Sequence, residues 1–465
     1  MANLSDSAQK IAQLTKEAKN QNNHPNYKKI IEVYDTEIKN QFLKEEIVKN
    51  EFLVKNIFNA YKGIAKHEEA AVFVINQLNY KLTPNTDNYF LSSFGWNMFF
   101  MLKNATRSED ENDIETSVFN NHQSSLKISK EELLEYLTNL IKLLNTENPK
   151  EANLRVRVLF QFIKYEKSNN TPNWSAINEL LDYLEPEKLD NNPQLITIKN
   201  GPKAGREIEL ATDLENWYSY KTKALIEVEH YLECIKVCEH ALKVVNKFHY
   251  DNEVWIKRRI AISKLRLGET AEGINLLFDV LLNKKEWFIF KEYSEETLKT
   301  GDVDKAFKYA IDAALMKGDY LLRLDLFRII AEILTKKNEP ELAKKHLMAE
   351  LLLRVEKKWR IPEYLEPLQA ELSELNPVPS AKSAIEELKK YWRGFLQTGT
   401  IKKILHDKRL GWIKGPNKEY FFRFSVVDGA VAKLKEGDKV KFSSCPGINK
   451  VKNSLEDDAI YIIAD

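Results

Sequence analysis

The sequence is poor in the features that usually announce a cofactor, a metal or a membrane. Only three cysteines occur among 465 residues, Cys234, Cys238 and Cys445. An odd number without C-x-x-C spacing supports neither a disulfide scaffold nor a zinc site, and fits a reducing compartment. Cys234 and Cys238, four apart on an apolar helical face, read as small packing residues. Long apolar runs are missing too. The longest, Ala70 to Ile75 and Met98 to Leu102, fall far short of the ~20 residues that cross a bilayer. No charged leader with an apolar core opens the sequence, so a cytoplasmic location without membrane attachment is expected. Charge of one sign is also absent: 70 Lys and Arg face 69 Asp and Glu, a net charge of +1. That balance exerts no global pull on nucleic acid, and any site for it has to be a local patch.

Catalytic motifs are equally scarce. The eight histidines, His24, His67, His122, His230, His240, His249, His346 and His406, form no H-E-x-x-H and no H-x-E paired with C-x-x-C. No G-x-S-x-G elbow or Walker motif occurs, and paired carboxylates carry no signal in a chain this charged. Gly201 and Gly205 lie in the run Leu195 to Leu210, but that run lacks the G-K-[ST] of a phosphate loop. Its two β-prone halves around Asn200-Gly201-Pro202 read as a hairpin or extended loop, with Lys199, Lys203 and Arg206 as an auxiliary basic contact. The expectation is a protein that is not an enzyme and holds no cofactor or metal.

What is present is apolar periodicity. With 43% apolar and 30% charged residues the chain can build two or three domains with real cores. Residues 26–41, 45–63, 67–78 and 94–103 repeat apolar side chains three and four apart, the pattern of a helix with one buried stripe. The aromatic run Phe94 to Phe100 reads as core packing. Residues 104–128, with Ser108 to Asp113 strongly acidic, read as an exposed loop. Ser129 with Glu132 then predicts a capping box at the start of the next helix.

From Asn216 onward the sequence repeats itself. The turns Glu229 to Ile235, Gly268 to Ile274, Gly301 to Phe307 and Asn338 to Lys344 align, and place Cys234, Gly273, Ala306 and Ala343 at separations of 39, 33 and 37. Seven residues before each turn lies a second small or slim residue: Thr222, Ala261, Ser294 and Ala331. Small residues at these two places let the paired helices cross closely, which is the logic of a tetratricopeptide repeat. Four units are expected over about 212–355, with degenerate ones before them. Trp217, Trp255, Trp287 and Trp359 recur near the starts of first helices and read as packing residues. Such repeats stack into a solenoid whose surface ordinarily takes a partner protein.

Asn376-Pro377-Val378-Pro379 ends the helical run. Ser383 with Glu386 predicts a capped helix through Trp392, docked either on the last repeat or under the C-terminal segment. Beyond Trp392 the period changes to two. Gly399 to Lys414, Tyr420 to Ser425, Leu434 to Phe442 and Ala459 to Ile463 alternate between turns at Pro416-Asn417, Asp428-Gly429, Glu436 to Asp438 and Pro446-Gly447, as in a small closed sheet. Residues 399–455 carry thirteen Lys and Arg against five Asp and Glu.

The stretches Gly399 to Lys402, Asp407 to Ile413, Phe421 to Ser425 and Leu434 to Phe442 resemble, in order and spacing, the cold-shock domain. The resemblance covers 399–465 and implies an OB-type five-stranded barrel whose second and third strands offer aromatic rings to single-stranded RNA or DNA. It places Lys402, Lys403, Lys408, Arg409, Leu410, Trp412, Lys414, Phe421, Arg423 and Phe424 at the candidate site. Trp412, Phe421 and Phe424 would stack bases, and the cations would neutralise phosphates. Three positions depart from the family pattern: Lys403 stands for a Trp, Leu410 for a Phe and Arg423 for a His. Fewer rings and more cations imply a more salt-dependent mode of binding.

The expected architecture is therefore mostly α with a small β domain. An N-terminal helical region spans 1–150, TPR-like repeats 151–375, a Pro-rich linker and helix 376–396, and the barrel 397–465. The expected function is a non-enzymatic adaptor, with single-stranded nucleic acid on the barrel and a protein partner on the repeats. The alternatives are a protein-interaction scaffold whose barrel has lost nucleic acid, and a regulatory subunit of a nucleic-acid-processing or prokaryotic defence complex.

Overall fold

The computed structural model describes residues 4–21, 24–106, 126–169, 171–198, 204–375, 377–429, 434–449 and 454–464. The chain divides into two compact units. One comprises Met1–His230 with Val244–Lys247, the other Tyr231–Lys243 with Phe248–Asp465.

The first unit is built from α1 (Leu4–Gln21), α2 (His24–Val33), α3 (Lys44–Lys49), α4 (Glu51–Gly63), α5 (His67–Val72), α6 (Asn88–Ala105), α7 (Lys130–Leu143), α8 (Pro149–Lys167), α9 (Trp174–Leu181) and α10 (Asp213–Glu227). Two expected helices are interrupted: α2 widens into a π-helical turn at Tyr34–Ile38 and α5 into another at Phe73–Gln77. The two turns meet, with Tyr34 Oη donating to Gln77 Oε1 at 3.1 Å and the Tyr34 ring edge-on to Phe73 at 5.0 Å. The expected capping box forms: Ser129 Oγ accepts from the Glu132 N–H at 3.2 Å, and the Glu132 carboxylate accepts from the Ser129 N–H at 3.4 Å. The aromatic run divides by face. Phe94 and Met98 are buried, whereas Trp96 and Phe100 are 38% and 41% exposed, so packing accounts for only half of it. The acidic loop expected at 104–128 lies largely outside the described residues. Between α9 and α10, β1 (Gln194–Thr197) and β2 (Glu207–Leu210) pair antiparallel as a hairpin. Of the auxiliary cations there, Lys199 and Lys203 lie outside the described residues and Arg206 is exposed.

The second unit opens with α11 (Tyr231–Val244). Three helix pairs follow: α12 (Asn252–Arg266) with α13 (Thr270–Asn283), α14 (Trp287–Lys299) with α15 (Val303–Leu315), and α16 (Leu324–Lys336) with α17 (Pro340–Glu356). The repeat logic is visible in the backbone. The first residue of each aligned turn, Glu229, Gly268, Gly301 and Asn338, is left-handed, the conformation that ends one helix and reverses the chain into the next. Ala261, Ser294 and Ala331 in the first helices and Gly273, Ala306 and Ala343 in the second are all buried. Ser294 Oγ donates to the Ala306 carbonyl at 2.7 Å, and a Cβ on Gly273 would stand 2.6 Å from Leu265 Cγ, so α12 and α13 cross where no side chain fits. Among the four tryptophans, Trp217 and Trp255 are buried, but Trp359 follows the end of α17 and is 39% exposed; it packs into no first helix.

A short α18 (Glu366–Glu374) leads to α19 (Ala381–Arg393). Its cap is Ser380, whose Oγ accepts from the Ser383 N–H at 3.1 Å, three residues before the expected Ser383. The buried stripe decides this: Ala381, Ile385, Leu388 and Trp392 fall on one helical face only if the helix already includes Ala381. That face packs on α17 and α15. His346 of α17 donates from Nδ1 to the Leu342 carbonyl at 2.7 Å, and its Nε2 accepts from Trp392 Nε1 at 3.0 Å.

The chain then forms β3 (Gln397–Leu405), β4 (Leu410–Lys414), β5 (Glu419–Arg423), a two-residue β6 (Val427–Asp428), β7 (Lys439–Asn449) and β8 (Ser454–Ala464). β3 pairs antiparallel with β4 and β7, β4 with β5, and β7 with β8, while β8 runs parallel to β5 and closes the barrel at Phe421 and Asp458. Five strands therefore close on a core of Ile401, Ile413, Tyr420, Phe422, Val440, Phe442 and Ile462. The expected turn at Pro446-Gly447 is absent: β7 runs straight through it. β3 covers β7 only over Lys439–Phe442, so at Pro446 one edge carries no strand and the missing N–H breaks no ladder there.

The barrel does not swing on its linker. Cys445, Ile460 and Tyr461, on its β7–β8 face, are buried in the helical core of this unit. Lys308 Nζ bridges the Ser444 carbonyl at 3.1 Å and Asp312 at 2.7 Å, Asp312 also accepts from Ser443 Oγ, and Lys285 caps the Pro446 carbonyl. Arg393, the last residue of α19, bonds Tyr461 Oη at 3.1 Å and Asp428 at 2.9 Å. Burial would push the Asp428 carboxyl up, but the Tyr461 and Arg393 hydrogen bonds outweigh it and hold the group below the usual range. Helix α19 thus docks on the last repeat and grips the barrel at the same time.

Candidate nucleic-acid interface

Period-two alternation fixes which candidate residues share a face. On β5 the even residues Tyr420 and Phe422 enter the barrel core and the odd ones, Phe421 and Arg423, face outward. On β4 Gly411 and Ile413 are buried and Leu410, Trp412 and Lys414 face outward. Register completes the surface: Leu410 lies opposite Arg423, Trp412 opposite Phe421, and Lys403 of β3 opposite Trp412. One outward row therefore reads Lys403, Trp412, Phe421.

Local geometry keeps this row close-packed. A Cβ on Gly411 would lie 2.6 Å from the Lys403 carbonyl and 2.6 Å from the Phe422 ring, so only glycine lets β3, β4 and the ring beneath approach this far. A bulge between Ile401 and Lys403 leaves both Lys402 and Lys403 exposed. Trp412 and Phe421 are half-buried and meet edge to face at 5.9 Å, and the Arg423 guanidinium stands over the Phe421 ring at 5.9 Å.

Phe424 is not on this surface. It shares the parity of Phe422, is 9% exposed, and stacks on Phe422 at 6.4 Å inside the barrel, where the chain turns through one 3₁₀ turn. Two aromatics three apart on a strand cannot face the same way, which the alternation already contained. Lys408 and Arg409 are exposed in the β3–β4 turn, with Arg409 left-handed.

The cations differ in availability. Lys402 pairs with Glu419. Lys403, Lys408, Arg409 and Lys414 have no ion-pair partner among the described residues. The opposite edge of the row is acidic, which the basic count over 399–455 did not reveal because Glu456, Asp457 and Asp458 lie just beyond it. Asp457 pairs with Lys418 at 2.5 Å. Asp458, next to Phe421 across the closing seam, is half-buried; burial raises its carboxyl, while Lys285 and Arg423 oppose that rise. The Cys445 thiol is pushed up to about 12 by burial and stays protonated. No group of histidine, cysteine and carboxylate residues with the placement to hold a metal occurs among the described residues.

The class this fold defines is a helical-repeat protein ending in a small closed barrel. No protein-family profile and no curated protein matches the chain. Among solved structures it is similar to the TPR domain of P58(IPK), at 11% identity over 83% of this chain and 98% of that one with a TM-score of 0.21. It is also similar to a circular tandem repeat protein, at 10% identity over 84% and 76% of the two chains with a TM-score of 0.16. At these scores neither likeness carries weight, and the repeat architecture rests on the helix pairs themselves. No helix among the described residues is long and apolar enough to cross a membrane.

Proposed function

We propose that this chain is a non-enzymatic adaptor that binds single-stranded RNA or DNA on the β4–β5 face of its barrel and a partner protein on its helix pairs. The observation that carries the first half is the outward row Lys403, Trp412 and Phe421, with Arg423 over the last ring and with Lys403, Lys408 and Arg409 lacking ion-pair partners among the described residues. Neighbouring half-buried rings, with cations along one margin, supply the two terms by which single strands are held without a duplex. The order of sequence motifs that resembles the cold-shock domain agrees with this reading. The second half rests on the repeat architecture, whose surfaces ordinarily take protein ligands.

The test uses the full chain, because excision at residue 397 would strip the helices from Cys445, Ile460 and Tyr461. Fluorescent single-stranded RNA and DNA are titrated at two salt concentrations against the native protein, Trp412→Ala and Phe421→Ala. Each substitution is expected to weaken binding by about 1–3 kcal/mol. Absence of binding, or binding indifferent to both substitutions, would sink the proposal.

A further inference from the structure

The outward row does not stop at Phe421. Asp458 of β8 stands beside Phe421 across the parallel seam, and Cys445 of β7 stands opposite Asp458 before the row passes under the helices. The Asp458 carboxylate lies across Gly447, with Oδ2 2.4 Å from where a Cβ on that glycine would stand. It is half-buried and has no hydrogen-bond donor among the described residues, although Lys285 and Arg423 are close enough to act on it electrostatically. The row therefore has polarity: Lys403, Lys408 and Arg409 at the β3 edge without ion-pair partners among the described residues, two rings in the middle with Arg423 over the second, and a carboxylate at the β8 edge.

Resting on the nucleic-acid reading of this face, we infer that Asp458 is a specificity-determining residue that selects guanine at the Phe421 ring. Arg423, over the Phe421 ring, offsets part of the Asp458 charge, but Lys403, Lys408 and Arg409 outnumber it, so the phosphates of a base stacked there are drawn toward the β3 edge and its Watson–Crick edge points at the carboxylate. An ionised carboxylate only accepts hydrogen bonds. Guanine presents N1–H and N2–H side by side, a donor pair that matches the two carboxylate oxygens as a guanidinium does. Adenine and cytosine offer one amino group next to an unprotonated ring nitrogen. Thymine and uracil offer one N–H between two carbonyls that a carboxylate repels. The expected order is guanine first, then cytosine and adenine, then thymine or uracil.

The experiment compares the full-length protein with Asp458→Asn, which keeps the shape but loses the charge and one acceptor. Affinities are measured for an oligothymidine and for the same strand with one central guanosine, adenosine or cytidine; a single guanosine avoids self-association of the probe. The native protein is expected to prefer the guanosine strand by about tenfold, and Asp458→Asn to lose most of that preference while binding the oligothymidine no more weakly. Thermal unfolding of both proteins checks that the fold is kept. Binding of all strands without a guanosine preference, or a preference equal in Asp458→Asn, overturns the role of Asp458 and leaves the platform standing. Failure to bind any strand overturns both.

Discussion

Acidification should loosen the joint between the last helix pair and α19, through His346. This ring is fully buried, gives its Nδ1 proton to the Leu342 carbonyl and accepts from Trp392 at Nε2. Both nitrogens are therefore committed to the neutral form, and burial lowers the group from 6.5 to about 4. A histidine lowered in the folded state binds fewer protons there than when unfolded, so the stability it contributes is present above the unfolded value and is lost as pH falls toward the folded one. At ~1.4 kcal/mol per unit the whole window is worth on the order of 3 kcal/mol, of which about 2 kcal/mol should disappear between about pH 7 and pH 5. The assay is urea unfolding of the full chain at both pH values, beside His346→Gln, whose carboxamide oxygen can still accept from Trp392. Asp312, whose carboxyl is raised by burial, acts with the opposite sign, but is common to both proteins and cancels. Native protein should lose about 2 kcal/mol more than the variant on acidification; equal losses, or a larger loss in the variant, would refute the reasoning.

The remaining expectations concern the platform and the repeats. Lys403→Ala should lower the slope of log affinity against log salt by about one unit while leaving the order of base preferences unchanged, read from titrations at several salt concentrations. Trp412→Ala should lose about 1–3 kcal/mol of affinity without a comparable change in that slope. Gly273→Ala drives a methyl group into Leu265, with its Cγ at 2.6 Å and its backbone nitrogen at 3.1 Å, and should cost about 1–3 kcal/mol in urea unfolding.

Much of the architecture was legible because it is written in short-range chemistry. The Ser129 and Glu132 box acts within one helical turn, and the small residues and aligned turns of the helix pairs act within about a dozen residues of where they stand in sequence. The misread features depend on distant partners. Nothing local marks the π turns at Tyr34 and Phe73, which face one another across the first unit. Ser380 wins the cap of α19 because Ala381 is wanted in the core it shares with α17. Pro446-Gly447 looks like a turn, and becomes part of a strand because β8 pairs along it while the helices hold its carbonyl. Phe424 is a different kind of miss. Its parity with Phe422 was readable in the sequence, and the motif outweighed the alternation. The acidic margin at Asp458 emerged only when the parallel seam brought the end of the chain beside Phe421.

How the barrel is attached bears on what the proposed β4–β5 platform could do. Two rings would be a weak stacking surface on a freely tumbling module, since each ring contributes only about 1–3 kcal/mol. Here the module is fixed through β7 and β8, with the Lys285, Lys308 and Arg393 contacts and three buried side chains fastening it to the connection after α13, to α15 and to α19. A fixed platform loses no domain orientation when a ligand arrives, so less of the contact energy is spent on ordering. Among the described residues no helix packs on the outward face of β4 and β5, and the Asp458 carboxylate lies between the rings and the helical surface. On the proposed reading, cations at one margin and an acid at the other would orient a strand that rings alone would hold in either sense, so that a small platform would gain direction from its edges.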